Sequence, residues 1–301
     1  MSTINVEAIS KAFGAQIAVD GVSFSVDAGE IFGLLGPNGA GKTTTIRIIL
    51  DIFKPDRGKV AVLGGPMTEL KKNRIGYMPE DRGLYQDITL ERCLIYLASL
   101  KGLNETEARR RLNEYLERFD LAEHRRKKIK ELSKGMQQKA QLIVTLLHRP
   151  DILMIDEPFS GLDPVNTQMV KDLLIEERNR GVTIVMSTHQ MHQVEELCDR
   201  LVLINRGRAV LYGALGDIRK QFTADAVLVR TEDKLPFNLP GVAAIEPLNG
   251  VTRLKLAPGT APQKVLRSLV DQNVNLAQFE IAVPTLDEIF IRVVQGEGPD
   301  E

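Results

Sequence analysis

The chain has 301 residues, of which 43% are hydrophobic and 26% charged, enough for a full core and two domains. Its formal net charge of −1 gives no electrostatic argument for a nucleic-acid partner, and none is expected. Only two cysteines, Cys93 and Cys198, stand far apart in sequence, which excludes a disulfide scaffold and fits a reducing compartment.

No apolar run approaches the roughly 20 residues of a membrane span, so any action at a membrane is expected to go through a partner. The start, Met1-Ser2-Thr3-Ile4-Asn5-Val6-Glu7, lacks a basic region followed by an apolar stretch, and no secretory leader is expected. Residues 1–30 alternate as half-buried strands do, as in Val22-Ser23-Phe24-Ser25-Val26. Asp27-Ala28-Gly29-Glu30 then turns the chain into the apolar run Ile31-Phe32-Gly33-Leu34-Leu35, which has strand length.

Residues 36–43 read Gly-Pro-Asn-Gly-Ala-Gly-Lys-Thr, a full P-loop between that strand and a helix-forming stretch from Thr44 to Leu50. Glycines let the backbone wind tightly, so that several N–H groups point inward at phosphate oxygens. The following helix adds the positive end of its dipole. Lys42 is expected to reach the β- and γ-phosphates, and the Thr43 hydroxyl to hold Mg²⁺. A nucleoside triphosphate cradled by Gly36, Pro37, Asn38, Gly39, Ala40, Gly41, Lys42, Thr43 and Thr44 is the expected ligand.

From about 89 to 149 the pattern is helical, with Asn104 and Glu107 marking one helix start. The run His124-Arg125-Arg126-Lys127-Lys128-Ile129-Lys130 reads first as solvated surface, with contact to anionic lipid headgroups or an acidic partner loop as the alternative. Residues 152–155 (Ile-Leu-Met-Ile) and 182–186 (Val-Thr-Ile-Val-Met) are apolar without alternation, as in parallel strands buried on both faces. Asp156 and Glu157 end the first of these. Carboxylates at the end of a buried strand beside a P-loop suit Mg²⁺ (Asp156, through water) and the attacking water (Glu157). Two short strands around Asn205-Arg206-Gly207-Arg208 form a hairpin signal.

Character changes near residue 222. Residues 222–301 hold 7 Lys and Arg against 11 Asp and Glu, a formal charge of −4. They read as strands at 226–230, 242–246, 251–256 and 274–283, an Asn249-Gly250 turn, and helices at 262–271 and 286–295, the last opened by a capping box at Thr285-Leu286-Asp287-Glu288. That is a small α+β domain without a nucleotide motif.

The segment Glu131-Leu132-Ser133-Lys134-Gly135-Met136-Gln137-Gln138 resembles the signature of ATP-binding cassette (ABC) ATPases, usually Leu-Ser-Gly-Gly-Gln, with Lys134 and Met136 as departures. The resemblance implies an α/β fold: a P-loop NTPase cassette at 1–221 with a mixed sheet core, an antiparallel β subdomain and a helical subdomain, then an accessory domain at 222–301. That last domain, ending in Pro284-Thr285-Leu286-Asp287-Glu288-Ile289-Phe290, is similar to one in an exporter subgroup that includes sodium-extrusion and drug-resistance types. The resemblance further implies that Phe13 stacks on adenine, that Asp163 in Ser160-Gly161-Leu162-Asp163 belongs to the D-loop, and that His189 is the switch histidine acting with Glu157 and Lys42. Where the family usually has a metal-sensing Gln after the strand Ile75-Gly76-Tyr77-Met78-Pro79, this chain has Glu80, which a carboxylate's affinity for Mg²⁺ makes workable; Gln86 is the weaker candidate. Two cassettes, as a homodimer or a mixed pair, would close head to tail on ATP and Mg²⁺, with Ser133 and Gly135 acting on the partner chain's ATP from a helix N-terminus. They would drive a separate integral membrane permease from the cytoplasmic face. A soluble ABC ATPase with a non-membrane partner, or a silent ATP-binding switch, are the competing readings.

Overall fold

The computed structural model describes residues 2–81, 83–222, 226–236, 238–248 and 250–295. They form two compact units, Met1–Leu215 and Gly216–Glu301.

The first unit begins with β1 (Ser2–Phe13) and β2 (Gln16–Asp27), which pair antiparallel, and β4 (Arg57–Val62) joins the other side of β1. Between them lie β3 (Ile31–Leu35) and helix α1 (Lys42–Ile49). After the short α2 (Glu69–Lys72) come β5 (Ile75–Met78), the helices α3 (Leu90–Ser99), α4 (Glu105–Arg118) and α5 (Lys134–Leu146), then β6 (Ile152–Asp156), α6 (Pro164–Asn179), β7 (Thr183–Thr188), α7 (Met191–Leu197), β8 (Arg200–Asn205) and β9 (Arg208–Ala214).

The central sheet has the order β5-β6-β7-β3-β8-β9, parallel except for β9. Every residue of β3, β6 and β7 is buried, as their unbroken apolar runs require of strands covered on both faces. The register sets Leu35 beside Thr188, Asp156 beside Ser187, and Met78 beside Ile155. Four chain segments therefore leave the sheet at one carboxyl edge, where ligands of parallel α/β sheets bind.

The core joins both sheets of this unit. Ile4, Val6, Phe24 and Val26 pack with Phe32, Leu34, Met154 and Val202, and the Phe24 and Phe32 rings stack at 5.3 Å. Burial of each large side chain contributes about 1.5–3 kcal/mol, which holds the antiparallel sheet firmly against the base of the P-loop strand. In the helical part, the Asn104 side chain accepts from the Glu107 N–H at 2.9 Å, and Ala108, Leu112 and Leu116 recur every four residues on the buried face of α4. The basic run is surface with local partners: Arg125 pairs with Glu91 and Lys130 with Asp87. In the β8–β9 hairpin, Arg206 (φ 48°) and Gly207 (φ 80°) make the two-residue turn between paired Asn205 and Arg208.

The second unit follows within α8 (Leu215–Gln221) and contains β10 (Ala226–Thr231), β11 (Val242–Leu248), β12 (Val251–Leu256), α9 (Pro262–Asp271), β13 (Leu276–Ile281) and α10 (Leu286–Gln295). Its antiparallel sheet has the order β11-β12-β10-β13, and Val227, Val229, Leu254 and Leu256 pack against Val265 and Leu269 of α9. Leu248 pairs with Val251 across the expected turn, whose Asn249 lies outside the described residues. The capping box closes as expected: Glu288 N–H donates to Thr285 Oγ1 at 3.3 Å, and Thr285 N–H donates to Glu288 Oε2 at 3.0 Å. The strand expected from 274 starts at Leu276, because Asp233 takes the Asn275 N–H at 2.7 Å and holds it out of the ladder.

Candidate nucleotide site

The loop between β3 and α1 depends on glycine at two places. Gly36 has φ 145°, and a Cβ there would stand 2.1 Å from the Ile204 carbonyl oxygen; at Gly41 (φ 109°) it would stand 2.3 Å from that of Ala18. Any side chain would push the loop off the sheet edge. Helix α1 starts at Lys42, inside the motif and two residues before the expected Thr44. Its first amides therefore belong to the loop, which is what an anion site needs.

Lys42 is 7% exposed, and its Nζ donates to the carbonyls of Gly36 at 2.7 Å and Pro37 at 3.2 Å. Burial lowers its pKa, and the carboxylates of Glu157, Asp156 and Glu80 oppose that shift. Three acids around one buried ammonium leave Lys42 the one cation among the residues lining the cleft. Thr43 Oγ1 donates to Asp156 Oδ2 at 2.8 Å, and Ser187 Oγ donates to Asp156 Oδ1.

Glu157 is the most constrained of the acids. Its φ of 52° lies in the left-handed region, which costs a non-glycine residue about 1–3 kcal/mol unless its surroundings impose it. They do. Its N–H donates to the Ser187 carbonyl at 3.0 Å, and its carboxylate accepts from Thr188 Oγ1 at 3.2 Å and from the His189 N–H at 3.1 Å. His189 Nδ1 lies 2.8 Å from the same Oε1. The end of β7 and the residue after it thus fix the carboxylate that directly follows β6, in the lining of the cleft.

That cleft measures about 430 Å³ and is lined by Phe13, residues 38–44, Glu80, Asp156 and Glu157, together with Gln16 and Ala18. Phe13 is half-exposed and held edge-on to Phe53, with ring centroids 5.4 Å apart. Glu80 is exposed within the lining. Its carboxyl is raised by partial burial and then by Asp156, Glu157 and Asp81, with Lys42 offsetting part of this. Gln86 does not line the cleft, and its Nε2 donates to the Leu84 carbonyl at 2.9 Å. Gln16 and Ala18 carry no chemical signal in sequence; the hairpin register Phe13↔Gln16 brings them in.

Ser133, Gly135 and Asp163 do not line this cleft. Ser133 caps α5, its Oγ accepting from the Met136 N–H at 3.2 Å and keeping its own proton to donate. Gly135 sits beside Gly161, whose carbonyl oxygen is 3.6 Å from where a Cβ would lie. Asp163 caps α6, accepting from the Asn166 N–H at 2.9 Å.

Among the described residues, no group of three or more His, Cys, Asp or Glu could hold a metal by itself. The Thr43 hydroxyl and the Asp156 and Glu80 carboxylates are hard oxygen donors. They fit Mg²⁺, a cation that keeps waters and phosphate oxygens in its shell, better than a metal needing a full protein cage.

The ABC transporter family matches residues 19–160, and the C-terminal domain described as that of ATP-binding protein DrrA1-3-like matches residues 213–294. The chain is 39% identical over 293 residues to the uncharacterized ABC transporter ATP-binding protein YhaQ of Bacillus subtilis (strain 168), covering 97% of this chain and 98% of that protein. It is 32% identical to the linearmycin resistance ATP-binding protein LnrL of the same organism, covering 96% of this chain and 97% of LnrL. To the daunorubicin resistance ATP-binding protein DrrA3 of Streptomyces coeruleorubidus it is 31% identical, covering 97% of this chain and 96% of DrrA3. A solved ATP binding subunit of an ABC transporter superposes with a TM-score of 0.68 at 36% identity, covering 73% of this chain and 93% of that one. The dimeric cassette MJ0796, with a TM-score of 0.66 at 23% identity over 70% of this chain and 98% of its own, shows the same fold. A P-loop, an acid pair at the end of β6 and near full-length likeness to such subunits together place the chain: it belongs to the ATP-binding subunits of ABC transporters and is an ATPase with an accessory C-terminal domain of the DrrA type.

Proposed function

We propose that this chain hydrolyses ATP with Glu157 as general base, that two copies (or a pair of cassettes) complete each other's sites head to tail, and that their closure powers a separate membrane permease in export. The observation that carries it is the posture of Glu157, locked at positive φ by Ser187, Thr188 and His189 beside Lys42 and Thr43. Glu157 takes a proton from water as the water oxygen bonds to the γ-phosphorus. The bond from that phosphorus to the β–γ bridging oxygen breaks, and ADP and phosphate leave. Lys42 and the loop amides bind the phosphates, and Phe13 offers its ring to the base. Thr43, Asp156 and Glu80 would hold Mg²⁺, directly or through water, and the cation would supply charge that offsets the phosphates. Ser133 and Gly135, which do not line their own chain's cleft, are free to donate to the γ-phosphate held by the other chain. The resistance named for LnrL and DrrA3 supports the export direction. Among the described residues no helix is long and apolar enough to cross a membrane; the proposed permease is a separate chain that this one meets at its cytoplasmic face.

Phosphate release measured against Mg²⁺ concentration tests this reading. Turnover should vanish in EDTA and saturate with Mg²⁺. Glu80→Gln should leave the fold intact and raise the half-saturating Mg²⁺ several-fold, roughly the cost of losing one charged ligand. The wild-type requirement should also climb as pH falls toward the raised Glu80 carboxyl, because the protonated acid is a poor ligand, while the amide variant stays flat. Superimposable Mg²⁺ and pH profiles would remove Glu80 from the metal.

The second unit has its own sheet, helices and hydrophobic core. We propose that it keeps two chains near each other between ATP cycles, raising the effective concentration of the second half-site. A chain ending near Lys220 should still bind ATP, while its specific ATPase rate climbs more steeply with protein concentration than that of the full chain. Identical curves would leave the unit without this role.

A further inference from the structure

The segment after β5 carries Glu80 into the cleft, yet among the described residues no backbone N–H donates to the carbonyls on either side of it, Pro79 and Asp81. One side chain takes both. Gln141 of α5, 3% exposed, donates from Nε2 to Pro79 O at 2.7 Å and, more weakly, to Asp81 O at 3.5 Å. Two carbonyl oxygens can be faced only by the amide nitrogen, so the orientation of the group is fixed by chemistry. Its Oε1 is buried without a hydrogen-bond partner. Leaving a buried acceptor empty is costly, so this amide is kept for its donor side.

The same helix does the same thing once more. Gln138, three residues earlier and therefore on the same face, is 5% exposed and sets its Nε2 3.4 Å from the carbonyls of Glu157 and Pro158. Helix α5 thus grips the backbone beside two of the three acids that line the cleft, Glu80 and Glu157, while its own first turn carries Ser133 and Gly135.

We propose that Gln141 is a positioning residue for Glu80: by holding the carbonyls of its two neighbours, Pro79 and Asp81, α5 keeps this carboxylate where it can serve the metal that accompanies the nucleotide. The proposal rests on the reading of Glu80 given above and goes beyond it by naming what holds the residue in place. Outer groups that orient a metal ligand carry much of a site's affinity, so loss of the clamp should weaken the metal's contribution and nothing else.

Calorimetric binding of the non-hydrolysable analogue adenylyl imidodiphosphate to the full chain, with Mg²⁺ and then with EDTA, separates that contribution from nucleotide affinity without turnover. Gln141→Leu keeps the side chain's bulk and removes both donors and the empty acceptor; Gln141→Met serves the same purpose if the leucine chain does not fold. Gln141→Leu and Glu80→Ala should each shrink the gain in affinity due to Mg²⁺ by roughly tenfold and show no further loss when combined; in EDTA Gln141→Leu should bind as wild type does, while Glu80→Ala, with one carboxylate fewer facing the phosphates, should bind no more weakly. A Gln141→Leu chain that keeps the full gain while Glu80→Ala loses it would overturn the proposal and leave Glu80 at the metal. Equal weakening in EDTA would make Gln141 a packing residue, and losses that multiply in the double variant would show it acting independently of Glu80; either overturns the proposal. A full gain in Glu80→Ala would remove Glu80 from the metal, and the proposal with it.

Discussion

Glu157→Gln should bind ATP as tightly as wild type, lose turnover by roughly 10²- to 10⁴-fold, and elute as a dimer when ATP is present. The amide matches the carboxylate in size; its oxygen can keep the bond from the His189 N–H, its NH₂ can donate to Thr188 Oγ1 instead of accepting from it, and the Glu157 N–H bond to the Ser187 carbonyl is untouched, so the left-handed backbone at this position stays supported. What it cannot do is take a proton from water. Binding rests elsewhere, on Lys42 and the loop amides, so the two properties separate. A closed pair that cannot break the β–γ bond has no route to reopen except ATP dissociation, and mass action then favours the dimer. Size-exclusion chromatography with and without ATP, beside a phosphate-release assay, reads both. A variant that turned over at the wild-type rate and stayed monomeric would remove Glu157 from the chemistry.

Lys42→Ala should act one step earlier and weaken binding itself. The ammonium is the one cation among the residues lining the cleft, and Asp156, Glu157 and Glu80 all face it. Its removal deletes charge-assisted hydrogen bonds to the phosphates, worth about 1.5–3 kcal/mol, and leaves three carboxylates to repel a polyanion. Affinity for ATP should fall by at least roughly 10- to 100-fold. Gly36 and Pro37 would lose the bonds that Nζ donates to their carbonyls, but the loop's course is set by glycines at the sheet edge, so the thermal midpoint should move little. An unchanged ATP dissociation constant, measured by calorimetry, would contradict the geometry assigned to the loop.

What could be read from the chain directly is what local chemistry dictates. The P-loop needs glycine where a Cβ would strike Ile204 or Ala18, and the order of residues says so. The strands β3, β6 and β7 are buried on both faces, and their apolar runs, Ile31–Leu35, Ile152–Ile155 and Ile184–Met186, show no alternation. The caps at Asn104 and Thr285 are contacts over three residues. What could not be read depends on partners far off in sequence. Gln141 reaches a loop some 60 residues upstream, and an isolated Gln in a helix gives no sign of it. Gln16 and Ala18 reach the cleft only through hairpin register. Asn275 leaves its strand because of Asp233, which no pattern of alternation contains. The family resemblance offers Glu80 and, more weakly, Gln86; the path of the chain after β5 puts the first in the cleft and turns the second to Leu84.

The central claim is that each cleft is completed by Ser133 and Gly135 of a second chain, and mixing two inactive variants tests it most directly. Lys42→Ala damages the loop half of a site, and Ser133→Arg, at the exposed start of α5, damages the other half. Each alone should be nearly inactive. In an equal mixture, half of the head-to-tail dimers pair the two variants, and each such dimer holds one site with both halves intact. Phosphate release should then recover to about a quarter of the wild-type rate. A mixture no more active than its two components would contradict a shared site and return the whole of catalysis to the single chain.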